Sequence, residues 1–365
     1  MPNIVSVYSG CGGLDLGFHQ AGYETILATD NWKIACETLE ANMIADEVKC
    51  ADIREIDFKS ILIKRGLKNV DCLIGGPPCP PYSQTRHYLI DKKKGVEDEK
   101  YGFTLKEYFR AVEELNPTIF FFENVDGFLH KLHLYEFEYL RDQAESLGYN
   151  ITYKVVNAAN YGVAQTRKRF ICVGVKKELP AFVFPTETHA DPAVIKKLSL
   201  LTKPWVTCGD ILNEIDYDLP EDANQSAGSK DKHLLPLIPP GENYLFFTEK
   251  RGYPNPLFKW KSRYWTFLLK LSQNRPSWTI QASFSNNQGP FHWKNRFLRI
   301  AEIKRIQSFD DKYNLKGSFQ EQWRQVGNAV PPYLAFVFAS KIKMTYFTKN
   351  NSTKNIKSKS ELLLL

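Results

Sequence analysis

Residues 70–83 read Val-Asp-Cys-Leu-Ile-Gly-Gly-Pro-Pro-Cys-Pro-Pro-Tyr-Ser. The apolar run 70–74 has the length and make-up of a buried parallel strand. Two glycines and four prolines then exclude helix or continued strand. The result is a stiff loop at a strand's carboxyl end, with one thiol, Cys79, fixed in it. Open α/β sheets bind their ligands at that edge, which makes Cys79 a candidate nucleophile. The plainer alternative is a structural cysteine beside a proline turn.

Outward from this loop, strand and helix patterns alternate through the first 180 residues. A strand at 4–8 runs into Gly10-Cys11-Gly12-Gly13, and a helix follows to Gln20. A second strand, 25–29, is closed by Asp30; a helix covers 33–42; a short strand, 48–51, is closed by Asp52. A strand at 118–122 follows, and 151–156 with 170–175 form a terminal pair. Strands spaced by helices imply βαβ units, so the fold class is α/β with a Rossmann-like, largely parallel sheet. After 179 the texture changes to Pro, Trp, Asn and short β-rich runs. We expect a catalytic and cofactor-binding domain over 1–182 and a smaller, mostly β domain over 183–321. Helical patterns at 301–308 and 332–343 follow, with 322–345 returning to the first domain and 346–365 a disordered tail.

Composition sets bounds. The chain has 365 residues, 43% hydrophobic and 13% aromatic, enough for a sizeable core. A net charge of +7 is compatible with an anionic partner without requiring one. The seven cysteines (11, 36, 50, 72, 79, 172, 208) show neither a CxxC pair nor zinc spacing, so no metal is expected and reduced thiols in an intracellular compartment are. No leader pattern is visible, and no apolar stretch reaches the ~18 residues of a membrane span.

The strand–glycine-turn–helix at 4–20 lets backbone approach a ligand closely. It departs from GxGxxG, and no GK[ST] phosphate cradle exists, which disfavours a kinase or NTPase. Asp30, at the end of the second strand, can accept from ribose hydroxyls. Trp32 can pack on an adenine or methionine group, and Asp52 can accept from an adenine amino group. Together they indicate an adenosine-type cofactor, with NAD and S-adenosylmethionine both open.

The strand at 118–122 ends in Glu123. A carboxyl beside so apolar a strand has its pKa raised by desolvation, which suits it to donate a proton near neutrality. Gln165, Arg167 and Arg169 share one face if 165–169 is strand. Two guanidiniums there can grip a phosphate or base oxygen and lower a nearby thiol's pKa. Thiol, carboxyl and arginines form a coherent set. The thiolate adds to C6 of a pyrimidine, the carboxylic acid protonates N3, and C5 then attacks an electrophilic methyl group.

The chain resembles the DNA (cytosine-5)-methyltransferases of bacterial restriction–modification systems. The matching signatures run in family order: 8–17, Asp30-Asn31-Trp32, Asp52-Ile53, 75–83, Glu123-Asn124-Val125, 165–169, 275–279 and 325–332. The resemblance implies Cys79 as nucleophile, Glu123 as the acid at N3, and Arg167 and Arg169 as holders of the base and catalytic loop. It places Tyr8, Gly10, Cys11, Gly12, Gly13, Asp30, Trp32, Asp52, Ile53, Pro78 and Asn328 around S-adenosylmethionine. It implies a loop over 80–100, with Ser83 and Arg86, that closes over DNA. Pro80 replaces the usual Gln and Tyr82 the usual Phe, and Tyr8 keeps a ring where Phe is usual.

Between the arginine segment and the last signature lies the region that selects the target in this family. Its basic residues interleave with aromatics, which suits phosphate gripping and groove contact. Lys259, Lys261 and Arg263, with Gln165, are the candidate DNA contacts. The resemblance further implies double-stranded DNA as partner, base flipping, a cytoplasmic bacterial setting, and a monomer paired in function, without stable binding, to a restriction endonuclease. The alternatives are a tRNA cytosine-5 methyltransferase and a non-catalytic DNA-binding regulator on the same fold.

Overall fold

A computed structural model describes residues 1–78, 103–131, 134–199, 201–220, 222, 231–261, 264–283 and 285–348. Cys79, Pro80, Tyr82, Ser83, Arg86 and Arg263, most of the polar loop at 221–232, and the tail beyond 348 lie outside the described residues.

The first half alternates as the sequence predicts: β1 (Asn3–Val7), α1 (Gly13–Gln20), β2 (Glu24–Asp30), α2 (Lys33–Ala41), β3 (Val48–Cys50), α3 (Phe58–Lys64), β4 (Cys72–Gly75), α4 (Thr104–Leu115), β5 (Ile119–Val125), α5 (Leu134–Ser146) and β6 (Tyr149–Asn157). Two further strands, β7 (Gln165–Thr166) and β8 (Lys168–Lys176), follow. Seven strands form one sheet in the order β3-β2-β1-β4-β5-β8-β6. The first five pair in parallel; β8 runs antiparallel between β5 and β6. The expected terminal pair is therefore real. Its reversal brings the start of β8 to the edge where β5 ends.

The sheet is apolar on both faces, as parallel strands covered by helices require. On one face Val5, Leu73, Phe120 and Phe122 pack on α3, α4 and α5. On the other, Ile4, Ile74 and Phe121 meet α1 and the C-terminal α10 (Pro332–Ile342). Tyr23 Oη fixes α10 there, donating to Ala339 O at 3.2 Å. Residues 346 and 347, expected in a disordered tail, are instead packed. Tyr346 Oη donates to Pro180 O at 2.9 Å, and the Phe347 ring lies edge-on to Tyr23. Burial of their aromatic surface favours this packing.

The segment 183–321 is irregular, but less strand-rich than its composition suggested. Among its described residues are α6 (Pro192–Leu198), β9 (His189–Ala190), β10 (Lys203–Pro204), α7 (Cys208–Leu212), β11 (Ser277–Trp278) and α8 (Ile300–Ile306), the strands only two residues each. Its backbone is satisfied by turns and 3-10 segments around aromatic side chains, and prolines such as Pro204 keep the ladders short. One small core gathers Leu235, Tyr244, Phe247, Leu268 and Phe291. A second joins Cys208, Leu271, Ile280, Ile303 and Trp323 of α9 (Phe319–Asn328) to Leu16, Ala28 and Leu39 beside the sheet.

Candidate functional site

The carboxyl ends of β1, β2, β3, β4 and β5 and the amino end of β8 share one edge. After β1 the chain turns through left-handed conformations at Tyr8 (φ 55°), Gly10 (φ 55°) and Gly12 (φ 79°). A non-glycine residue there is costly, of order 1 kcal/mol, and marks a functional turn. Tyr8 is held in place by its hydroxyl, which donates to Thr104 O at 2.8 Å. Gly10 donates its N–H to Asp30 Oδ2 at 2.8 Å, and Trp32 N–H donates to Asp30 Oδ1 at 2.9 Å. Burial raises the Asp30 pKa, and these two N–H groups oppose the rise. The turn is thereby tied to the end of β2.

Other cofactor candidates gather at the same edge with different duties. Asp52 caps the 3-10 turn Ile53–Glu55, and its carboxylate accepts from Arg54 N, Nε and Nη2 at 3.0, 2.9 and 2.7 Å. These hydrogen bonds lower its pKa. Ile53 is buried, and its carbonyl accepts from Arg110. The Cys11 thiol is buried against Gln325 O (3.4 Å), which pushes its pKa up. It is therefore turned towards α9, leaving backbone as what residue 11 offers a ligand. The Arg324 guanidinium lies 4.6 Å over the Trp32 ring, covering one of its faces. Asn328 ends α9 exposed, and the two residues after it, Ala329 and Val330, lie against Gly13 at the start of α1.

This edge fits an adenosine-type methyl donor. Among the described residues, no atom beyond Gly10 and its chain neighbours stands within 4 Å of where a Gly10 Cβ would be, so they leave space over the turn. An acidic strand end, a partly exposed indole and an exposed amide flank that turn. The donor set matches a ribose, a purine and an amino-acid end, and offers no phosphate cradle.

At the end of β5, Glu123 is 9% exposed. Its Oε1 lies 2.7 Å from Arg169 Nε. Burial raises its pKa; Arg169 and then Arg167 pull it back. Gly76, in the loop after β4, comes so close that a Cβ there would stand 2.7 Å from Glu123 Oε2. Asn124 Nδ2 donates to Pro77 O at 3.4 Å, joining that loop to β5 a second time. The described chain stops one residue later, at Pro78. Asn124 was not singled out in the sequence, although its place beside Glu123 in a matched signature was a usable signal.

The 165–169 segment does not keep a single face. Arg167 N–H donates back to Gln165 O at 3.0 Å, breaking the strand between β7 and β8. Gln165 is fully buried; its side chain accepts from Ile280 N–H at 3.1 Å and donates to Gln307 at 2.5 Å. It occupies an internal seam rather than the DNA-facing position expected for it. Arg167 is also buried, donating to Ile280 O (3.1 Å), Gly327 O (2.8 Å) and Asn328 O (3.4 Å). These partners are backbone carbonyls, whereas Arg169 pairs with the Glu123 carboxyl. Lys259 and Lys261 are exposed. Lys259 helps line a cleft of about 510 Å³ with Lys250, Leu257 and Trp260, and the Lys250 ammonium lies 4.3 Å over the Trp260 ring.

Among the described residues no helix is long and apolar enough to cross a membrane. Residues 2–344 match the family model of the C-5 cytosine-specific DNA methylases. The type II methyltransferase M.SacI of Streptomyces achromogenes is 36% identical over 359 residues, covering 92% of this chain and 90% of the relative. M.NgoFVII of Neisseria gonorrhoeae is 34% identical, covering 91% and 83%. In fold, the chain is similar to a putative DNA modification methyltransferase encoded within an Escherichia coli prophage (TM-score 0.64, 24% identity, 94% and 99% covered). It is likewise similar to a Spodoptera frugiperda DNMT2 mutant (TM-score 0.65, 16% identity, 94% and 99% covered). With a family match across nearly its whole length and type II methyltransferases as its relatives, the chain belongs to the C-5 cytosine-specific DNA methylase family and is a DNA (cytosine-5)-methyltransferase of the restriction–modification type.

Proposed function

We propose that the chain methylates C5 of one cytosine within a specific double-stranded DNA sequence, with S-adenosylmethionine as donor, and so protects DNA from a partner endonuclease. The observation that carries this is the buried Glu123–Arg169 pair, with the loop leading to Cys79 against the same carboxyl. Backbone of Gly10, Cys11, Gly12 and Gly13 would hold the donor, with Tyr8, Asp30, Trp32, Asp52, Ile53, Pro78 and Asn328 around it. When bound, the donor supplies a methyl group on a sulfonium.

The Cys79 thiolate adds to cytosine C6, and Glu123 gives its proton to N3. Desolvation favours the protonated carboxyl needed for this, and Arg169 fixes its orientation. C5 becomes nucleophilic and takes the methyl group. A base then removes the C5 proton, and elimination restores the ring double bond and frees the thiolate. C5 and C6 cannot be reached inside a stacked duplex, so the cytosine is flipped out. The segment 183–321 acts as target-recognition domain, with Lys259, Lys261 and Arg263 as DNA contacts and Ser83 and Arg86 contributing from the loop after Cys79. The protein works as a monomer, with the endonuclease a functional partner only.

Purified protein with a radiolabelled methyl donor should label duplex DNA and leave tRNA unlabelled, and bisulfite sequencing should map one repeated site. Duplex carrying 5-fluorocytosine at that site should form a stable adduct on the peptide containing residue 79. Labelling of tRNA alone, or no adduct at Cys79, overturns the assignment.

A further inference from the structure

Trp278 is 46% exposed, although the residues on either side of it in the chain are packed and pinned. It lies in β11, which pairs in parallel with β7, Ser277 opposite Gln165 and Trp278 opposite Thr166. Three hydrogen bonds fix that short ladder: Thr166 Oγ1 to Ser277 O (3.0 Å), Thr279 Oγ1 to Thr166 O (2.9 Å) and Ser277 N–H to Ala164 O (2.9 Å). The Trp265 ring backs Trp278 at 5.4 Å between centroids and 59° between planes. Trp265 is fixed in turn by Asn243 Nδ2, which donates to its carbonyl at 2.5 Å. An indole is thus presented to solvent from β11, whose partner β7 ends at Thr166, three residues before Arg169. Three residues span at most about 10 Å.

Single exposed apolar side chains are common on surfaces; Trp278 differs in having a pinned backbone and a second indole behind its ring. Its surroundings select the occupant. Lys168 follows Thr166 by two residues, Arg275 precedes Trp278 by three and Lys261 precedes Trp265 by four, and all three are exposed. An aromatic pair with exposed cations a few residues away on the same segments suits a polyanion with π faces.

We propose that Trp278, backed by Trp265, is a stacking platform for a DNA base beside the extruded cytosine. Extrusion leaves the neighbouring bases without a stacking partner. An indole offered within reach of the reacting edge offsets that loss and favours the flipped state. The inference rests on the DNA cytosine reading above and names a residue that this reading does not use.

The test compares Trp278→Ala, Trp278→Leu and Trp278→Phe on two duplexes, one with the target cytosine paired to guanine and one with it opposite an abasic site. On the paired duplex the Ala and Leu variants should lose about 10-fold to 100-fold in kcat/KM, and Phe only a few-fold. On the abasic duplex, where extrusion is easy, the Ala and Leu deficits should shrink towards wild type. Melting temperatures should stay near wild type, because the ring is half in water. Full activity of Trp278→Ala on the paired duplex overturns the platform, as does an equal deficit on both duplexes, which is the mark of a structural role. A wild-type protein inert on every duplex overturns the DNA cytosine reading itself and takes the platform with it.

Discussion

Arg169 Nε sits 2.7 Å from Glu123 Oε1 across the antiparallel pair β5–β8. The register sets Arg169 opposite Val125 and Ile171 opposite Glu123, so the two are diagonal neighbours on one face. Both side chains are 12% exposed. Two effects on the carboxyl therefore compete. Desolvation favours the neutral acid and the guanidinium favours the anion; desolvation is the larger, and the net pKa is raised.

Replacing Arg169 should shift that competition in one direction. In Arg169→Ala the carboxyl keeps its burial and loses its main cationic neighbour, so its pKa rises further. A step that needs the protonated acid slows as pH climbs through that pKa. The alkaline limb of the single-turnover pH–rate profile should therefore move to higher pH, while the rate at neutrality falls about 100-fold through lost orientation. A limb that stays in place, or moves down, would show that Glu123 is not the titrating acid.

Arg167 should behave differently from Arg169. Its guanidinium joins Ile280 O and Gly327 O across the seam between the sheet and the later segments. Arg167→Met should leave buried carbonyls unpaired and cost about 3 kcal/mol in denaturant unfolding. Arg169→Ala, at the open edge, should cost less stability and more activity. Equal unfolding midpoints for the two variants would contradict the division of labour.

This division also marks how far the sequence carried. The parallel sheet was legible because its strands are short apolar runs closed by Asp30, Asp52, Gly75 and Glu123, and each closing residue falls at one edge. The terminal pair was legible for the same reason. Alternation failed at 165–169 because one backbone turn at Arg167 sends Gln165 and Arg167 inward, and period-2 counting assumes an unbroken strand. The segment 183–321 misled because aromatic and β-branched residues there fill small cores around turns, and local composition does not say which backbone groups will find ladder partners. Gln307 escaped notice because its partner, Gln165, is distant in sequence.

Asp15 gives a pH dependence of stability. It is fully buried at the start of α1, and neither carboxyl oxygen has a hydrogen bond of normal geometry. Burial pushes its pKa up to about 7 from 3.8, opposed in part by the Ser6 hydroxyl. The folded state thus holds this proton more tightly than the unfolded chain. Stability should fall as pH rises from about 4 to about 7 and then level off, at a cost on the order of 4 kcal/mol. Asp15→Asn removes the ionisation. The variant should be the more stable protein at pH 8, and the difference should shrink steadily to little at about pH 4. A difference independent of pH in paired chemical denaturation curves would show that Asp15 is not neutral in the fold.

Gly76 tests whether the loop and the acid work as one unit. A Cβ at this position would stand 2.7 Å from Glu123 Oε2 and 3.6 Å from Glu123 O. The carboxylate is already held on its other oxygen by Arg169, so relief must come from the loop, which shifts away from β5. That movement would loosen the Asn124–Pro77 contact just before Cys79. Geometry at a reacting centre is steep: a displacement near 1 Å costs about 100-fold in rate. Overpacking at a surface-facing loop costs only about 1–3 kcal/mol. Gly76→Ala should therefore fold, bind duplex DNA near wild-type strength in a gel-shift titration, and methylate about 100-fold more slowly. Asn124→Ala should move the same way by a smaller factor, because it loosens the loop without pushing on the acid. If Gly76→Ala methylates at the wild-type rate, the close approach of loop and carboxyl has no part in the chemistry.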